Sequence, residues 1–295
     1  MIFEVEHHTS YAYDAPVALG PHALRLRPRE DGGQHLLRFD LDILPRPMGL
    51  TDVFDVEGNR IANAWFEGRT RSFDIRASFT AETLRRNPFD FVLDPQELAR
   101  VPLAYPPDMQ ERLAPYRVPP GSPAVQTFAR DVAAEAGGET VAFLVGLARR
   151  VRRDVRGVVR RDGLPMEPEA ALAKGEGACR DQAVLWVEAC RAMGLAARFV
   201  SGYHEVGPGQ PERELHAWGE AYLGGAGWRG FDPSMGEAVA QHHVAVAAGR
   251  APFDAAPVQG TFAGGGVQAT LRARVTMRTR AGEPSVSPRG ATQQQ

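Results

Sequence analysis

The hydrophobic period of this chain changes from two to that of a helix across a run of prolines. Before it, Leu37, Phe39, Leu41 and Ile43 alternate with charged neighbours, as do Phe73, Ile75, Ala77 and Phe79 with polar ones. A period of two marks strands with one buried face. Shorter strand candidates cover residues 2–6, 24–27 and 61–66. Asp31-Gly32-Gly33, Pro45-Arg46-Pro47 and Glu57-Gly58-Asn59 supply turns between them. Short strands joined this way predict a small antiparallel sandwich. Pro102, Pro106, Pro107, Pro115, Pro119, Pro120 and Pro123 follow, dense enough to exclude both helix and central strand, so the domain connection is placed there.

From about Ala124 the period is helical: Val141, Leu144, Val145, Ala148 and Val151 share one face. Another helix is expected over residues 178–193, stopped by Gly194 at its C′ position. Strands are expected over 198–206, 215–223 and 228–232, the last two forming a hairpin around Gly224-Gly225-Ala226-Gly227. Residues 270–279 alternate again as a closing strand. The resulting fold class is α+β: an N-terminal β-sandwich over 1–110, a catalytic core over 120–280, and a disordered tail over 281–295, rich in Ser, Pro, Gly and Gln.

Composition narrows the function classes. A formal net charge of −2 over 295 residues argues against a nucleic-acid partner, which would need a basic face. The basic stretch 149–161 reads as a solvated helix end. MIFEVEHHTSYAYD lacks the basic start and apolar run of a signal peptide, and no later segment has the apolar length of a membrane span. A cytoplasmic location is therefore expected. Cys179 and Cys190, the two cysteines, would lie about 16 Å apart along one helix, too far for a disulfide. Free thiols fit a reducing compartment.

Cys179 opens its helix after Gly175-Glu176-Gly177-Ala178. There the helix dipole favours a thiolate, and the unpaired N–H groups of the first turn can receive an oxyanion. A lone cysteine is more often a small buried hydrophobe, which is the role assigned to Cys190. His216, in Leu215-His216-Ala217-Trp218, supplies a base within a strand. Asp232, in Gly230-Phe231-Asp232-Pro233, can orient that imidazole, although an aspartate before proline is also a common turn. In this order, on a helix start and two adjacent strands, the three predict a cysteine-nucleophile triad. Strand parity adds a condition. His216 and Asp232 share a face of the hairpin if Tyr222 pairs with Trp228, which sets Trp218 opposite Asp232, or if a bulge shifts the register.

Gly177-Ala178-Cys179-Arg180-Asp181, Leu215-His216-Ala217-Trp218 and Gly230-Phe231-Asp232-Pro233 resemble the nucleophile, histidine and aspartate motifs of the transglutaminase-like superfamily of cysteine enzymes. His7-His8-Thr9-Ser10-Tyr11-Ala12-Tyr13 with Leu24-Arg25-Leu26-Arg27-Pro28-Arg29 resembles the N-terminal β domain of its bacterial branch. Pro257-Val258-Gln259-Gly260-Thr261-Phe262 with Gly264-Gly265-Gly266 is similar to that branch's C-terminal segment. The resemblance implies a papain-like core, Cys179 as nucleophile, His216 as base and Asp232 as orienter. It also implies a peptide or protein amide substrate and no metal or organic cofactor. The outcome is hydrolysis or transfer to an amine, with hydrolysis favoured because no amine site is specified. The alternatives are a non-catalytic binding module on this fold and a thioester-dependent acyltransferase. Two departures stand out. Val155-Arg156-Gly157-Val158 lies where many relatives carry an aromatic residue, leaving a second oxyanion donor unassigned. Gln182 and Val184 also differ from the residues often seen after the nucleophile.

Remaining candidates read blandly. His7-His8 and His242-His243 point to opposite faces of a strand and make poor chelates. Thr51-Asp52-Val53-Phe54-Asp55 is strand and turn rather than a calcium loop. Asp181 is a first-turn carboxylate. Trp218 shares a face with His216 and either walls the cleft or belongs to the core.

Overall fold

The computed structural model describes residues 1–93, 100–160, 163–205, 212–213 and 215–282, the pair 212–213 by backbone alone. Five strands come first: β1 (Ile2–Leu24), β2 (Gln34–Leu44), β3 (Gly49–Phe54), β4 (Arg60–Trp65) and β5 (Thr70–Thr83). Then come α1 (Pro107–Leu113), α2 (Pro123–Glu135), α3 (Thr140–Asp154), the short β6 (Arg156–Gly157), α4 (Pro168–Lys174), β7 (Glu176–Gly177) and α5 (Cys179–Ala192). The last strands are β8 (Ala197–His204), β9 (Glu212–Arg213), β10 (His216–Leu223), β11 (Gly227–Asp232), β12 (Glu237–Ala238), β13 (His243–Gly249), β14 (Val258–Ala263) and β15 (Ala269–Arg280).

β1 is the spine of the N-terminal sandwich. Its first half pairs with β5 and β15, and its second half with β4 and β14, so one strand joins two curled layers. Between them lie Tyr13, Val17, Leu24, Ile43, Phe73 and Ile75. Phe73, Ile75, Ala77 and Phe79 are all buried, as their alternation requires. Leu37 departs from the expected pattern and is 56% exposed. The β2–β5 register shifts between Leu36 and Arg38, so a bulge at Leu37 turns that side chain out.

The second sheet has the order β12-β11-β10-β8-β13. Helix α5 packs on it through Leu185, Trp186, Ala189 and Cys190, all fully buried. Burial of a side chain such as Leu185 contributes about 1.5–3 kcal/mol. Trp186 stacks on Phe231 with ring centroids 5.4 Å apart. Gly219 makes this approach possible, since a Cβ there would lie 2.2 Å from the Trp186 ring. Gly194 ends the helix at φ +78°, in the left-handed region that glycine tolerates.

Two expectations change. The proline-rich connection contains a helix, α1, because Pro107 occupies its first turn, where no N–H is needed, and the next proline is Pro115. The same connection is packed rather than free. Val101, Leu103 and Tyr105 are buried in the core, and the Tyr105 hydroxyl donates to Tyr222 O at 2.7 Å. The alternating segment at 270–279 is the strand β15, and it closes the N-terminal sheet against β1 rather than the core sheet. Alternation shows that a strand has two unlike faces, not which strand it pairs with. The tail beyond residue 282 lies outside the described residues.

The sandwich abuts the outer edge of β13. Phe3, Val5 and Phe79 meet Tyr203, Val244 and Val246 in one apolar cluster. Two buried amides pair with that edge as a neighbouring strand would. Gln34 donates to Ala245 O at 2.8 Å and accepts from Ala245 N at 2.8 Å. Asn59 donates to Ala248 O at 2.7 Å and accepts from Ala248 N at 2.8 Å. The bulge between Ala245 and Ala247 lets these two residues, three apart, face the same edge.

Candidate active site

Cys179 is the first residue of α5, and the turn before it is fixed from below. Asp181, with no exposed surface, accepts from Ala178 N at 2.7 Å, Met166 N at 2.8 Å and Arg160 Nη2 at 2.6 Å. Its first-turn position is as expected, but it also ties the preceding loop to the cysteine turn. The segment 155–158 is held beside that turn. Gln182 Nε2 donates to Val155 O at 2.7 Å, and Arg156 N and Val158 N donate to Gly175 O and Gly177 O. Cys190 is fully buried, and burial pushes its thiol well above the usual range.

The hairpin pairs Tyr222 with Trp228 and Gly219 with Phe231, the register that places His216 and Asp232 on one face. His216 Nε2 lies 2.6 Å from Asp232 Oδ2. A carboxylate only accepts, so Nε2 carries the hydrogen and Nδ1 is the nitrogen left for Cys179, which lies close enough to this ring to help raise its pKa. The structure thus brings Cys179, His216 and Asp232 together, with His216 hydrogen-bonded to Asp232 and beside Cys179. Burial disfavours the imidazolium of His216, but the charge and hydrogen bond of Asp232, with the Cys179 contact, overcome it and raise the pKa to about 10. Burial works against the Asp232 carboxylate as well. Its donors prevail and hold it well below the usual carboxylate range.

Those donors outnumber a simple dyad. Oδ1 accepts from Ser234 Oγ at 2.7 Å, Ser234 N at 2.9 Å and Met235 N at 3.2 Å. Oδ2 accepts from a second histidine, His243, at 3.0 Å. The His243 ring lies 4.4 Å from that of His204 and meets Trp218 edge-on at 5.2 Å. Trp218 is buried beneath this cluster, in a space where Gly202 and Gly230 leave room for its indole. In the sequence His204 carries no signal, and His243 reads only as half of the His242-His243 pair. His243 does head a run of buried residues from His243 to Gly249, and that apolar run is the available signal.

The paired histidines do face opposite ways. His7 bonds Tyr203 and His8 bonds Asp74, while His242 bonds Glu205 and His243 bonds Asp232. His216, Asp232 and His243 also bring ligand-type atoms together, but these are spent on one another. The neighbouring His204, Glu237 and His243 are looser, with His204 Nε2 4.0 Å from a Glu237 carboxylate that is half exposed. Thr51–Asp55 forms β3 and a turn in which Asp55 accepts from Glu57 N and Asn59 N. Beside the cluster opens a cleft of about 300 Å³, lined by Phe89, Val145, Arg149, Glu237, His242 and His243.

Comparison with known proteins places this geometry in a family. Residues 3–82 match the bacterial transglutaminase-like N-terminal region, and residues 126–233 match the core of the transglutaminase-like superfamily. An uncharacterized Mycobacterium leprae protein is 26% identical over 267 residues, covering 89% of this chain and 93% of that one. An uncharacterized Mycobacterium tuberculosis protein is 35% identical over 102 residues, 31% of this chain and 32% of that protein. The crystal structure of a candidate cysteine protease from Cytophaga hutchinsonii shares the fold. Its TM-score is 0.70 at 20% identity, with 96% of this chain and 93% of that one covered. With both family models matched in tandem on one fold, the chain belongs to the transglutaminase-like superfamily, in the bacterial branch that carries an N-terminal β region before the core.

Proposed function

We propose that the chain is a cysteine-dependent enzyme that cleaves peptide or protein carboxamides through a thioester on Cys179. The observation that carries this reading is the bridging position of His216, beside Cys179 on one side and bonded to Asp232 at 2.6 Å on the other. The mechanism needs a thiolate nucleophile and a protonated imidazole, and His216, with its pKa raised to about 10, supplies the second.

The thiolate Sγ attacks the amide carbonyl carbon, and the carbonyl π electrons move to oxygen. The N–H of Cys179, which has no acceptor among the described residues, is offered to that oxyanion. As the oxyanion collapses, the C–N bond breaks and His216 gives its proton to the departing amine. Water then attacks the thioester, His216 takes a proton from it, and the C–S bond breaks to release acid and thiolate. An amine in place of water would make the reaction a transamidation. Hydrolysis is the preferred outcome because no amine-binding site is evident among the described residues.

Amine release from a panel of peptide carboxamides tests the assignment. Cys179→Ala abolishes release, whereas Asp232→Ala leaves a measurable remainder, since His216 keeps its chemistry and loses its orientation. Full turnover by a verified Cys179→Ala chain would overturn it.

A further inference from the structure

We propose that His243 is a positioning residue of this site: through the oxygen it shares with His216, it keeps Asp232 anionic and aimed. The inference rests on the triad reading above and adds a fourth member from β13. Three observations carry it. His216 Nε2 and His243 Nε2 meet the same atom, Asp232 Oδ2, at 2.6 and 3.0 Å. Both must therefore donate, which fixes the tautomer of both rings. His243 is nearly fully buried, and its Nδ1 has no partner, so the contact with Asp232 is the ring's one hydrogen bond among the described residues. Asp232 itself has no exposed surface, so its charge depends on protein donors rather than water.

The surroundings suit a neutral donor. Burial lowers the pKa of His243, and its bond to Asp232 does not fully offset this. His204, from β8, is pushed down to about 3, mainly by burial and then by His243 and His216. The ring packed on His243 is therefore uncharged near neutral pH. The other titratable or charged groups facing this pocket are His216 from β10, with Cys179 of α5 behind it, Glu237 from β12, His242 beside β13 and, from α3, Arg149 and Arg152, the latter donating to Met235 O. A neutral imidazole stabilises the carboxylate without cancelling the charge that sustains the His216 imidazolium. A lysine or arginine at position 243 would cancel it.

Loss of the donor lets Asp232 take a proton at higher pH. Once neutral, it no longer supports the imidazolium of His216 beside Cys179. The acid limb of Cys179 reactivity then moves upward. A histidine that merely fills the core would alter stability and leave that limb in place.

The test is the rate of iodoacetamide alkylation of Cys179 in the folded full chain, followed by mass spectrometry from pH 4 to 9 with Cys190 as internal reference. Wild type, His243→Leu, His243→Asn and His243→Gln are compared. In wild type, Cys179 reacts near neutral pH much faster than Cys190. In His243→Leu the acid limb moves up by about one pH unit, close to a tenfold loss of rate on that limb. His243→Gln, which keeps an N–H of similar reach, restores much of the wild-type limb. If the leucine variant does not fold, the shorter His243→Asn takes its place and is expected to behave like it. A limb unchanged in the donor-lacking variant, or a glutamine variant no better than it, would overturn the role of His243 alone. Equal rates at Cys179 and Cys190 in wild type would overturn the triad as well.

Discussion

Removing the carboxylate of Asp181 leaves Arg160 Nη2, Met166 N and Ala178 N without the acceptor that now lies 2.6–2.8 Å from each. Asp181→Ala is therefore expected to lower the unfolding free energy by about 3 kcal/mol, since three donors, one of them charged, lose their buried acceptor. It should also slow Cys179, because the turn that sets the thiol loses its anchor. Chemical denaturation checks the first effect, and a loss under 1 kcal/mol would contradict it. In the sequence, Asp181 needs no more explanation than a first-turn acid. Its partners at positions 160 and 166 come from a loop, and no local pattern announces them. The candidate triad is different, because each member sits in a recognisable local setting. A helix start after glycines, a histidine within a strand and an aspartate before proline can all be read along the chain.

Secondary elements were legible where their two faces differ. α5 and its stop at Gly194 follow from period and glycine placement, and the Tyr222–Trp228 pairing follows from requiring His216 and Asp232 on one face. β13 escapes this logic. Every residue from His243 to Gly249 is buried, so no alternation exists to detect, and its alanines do not favour strand. That missing strand carries His243, which is why the fourth contact to the candidate triad was not legible. α1 escapes for the opposite reason. Flanking prolines suggest a loop, yet the interval from Pro107 to Pro115 is free of proline and long enough for a short helix.

Across the whole molecule, buried histidines link the two sheets to pH. His7 of β1 bonds Tyr203 of β8 at 2.7 Å, and burial lowers its pKa to about 4, while His204 is lowered to about 3. In the unfolded chain both would take a proton near 6.5. Their stabilising effect is therefore complete above pH 6.5 and is lost as pH falls, for His7 through the window down to about 4 and for His204 down to about 3. His7 alone accounts for a loss on the order of 3 kcal/mol. His216 acts in the opposite sense, since its raised pKa contributes stability below 6.5 that is lost as pH rises through about 10. Stability should peak between these limits, and His7→Asn should flatten its slope between pH 6.5 and 4. Thermal unfolding across pH checks this, and a flat profile from pH 7 to 4 in the unmodified chain would contradict it.

The central claim is a covalent one, that substrate passes through a thioester on Cys179, and the intermediate itself is the most direct evidence. The measurement is intact-protein mass spectrometry after rapid acid quench of the chain with a library of peptide carboxamides, followed by peptide mapping. The account predicts a mass gain equal to the acyl portion of a substrate, located on Cys179, removed by hydroxylamine as a thioester must be, and absent from Cys179→Ala. Turnover with the acyl group on another residue, or undiminished turnover in the Cys179→Ala chain, would contradict it.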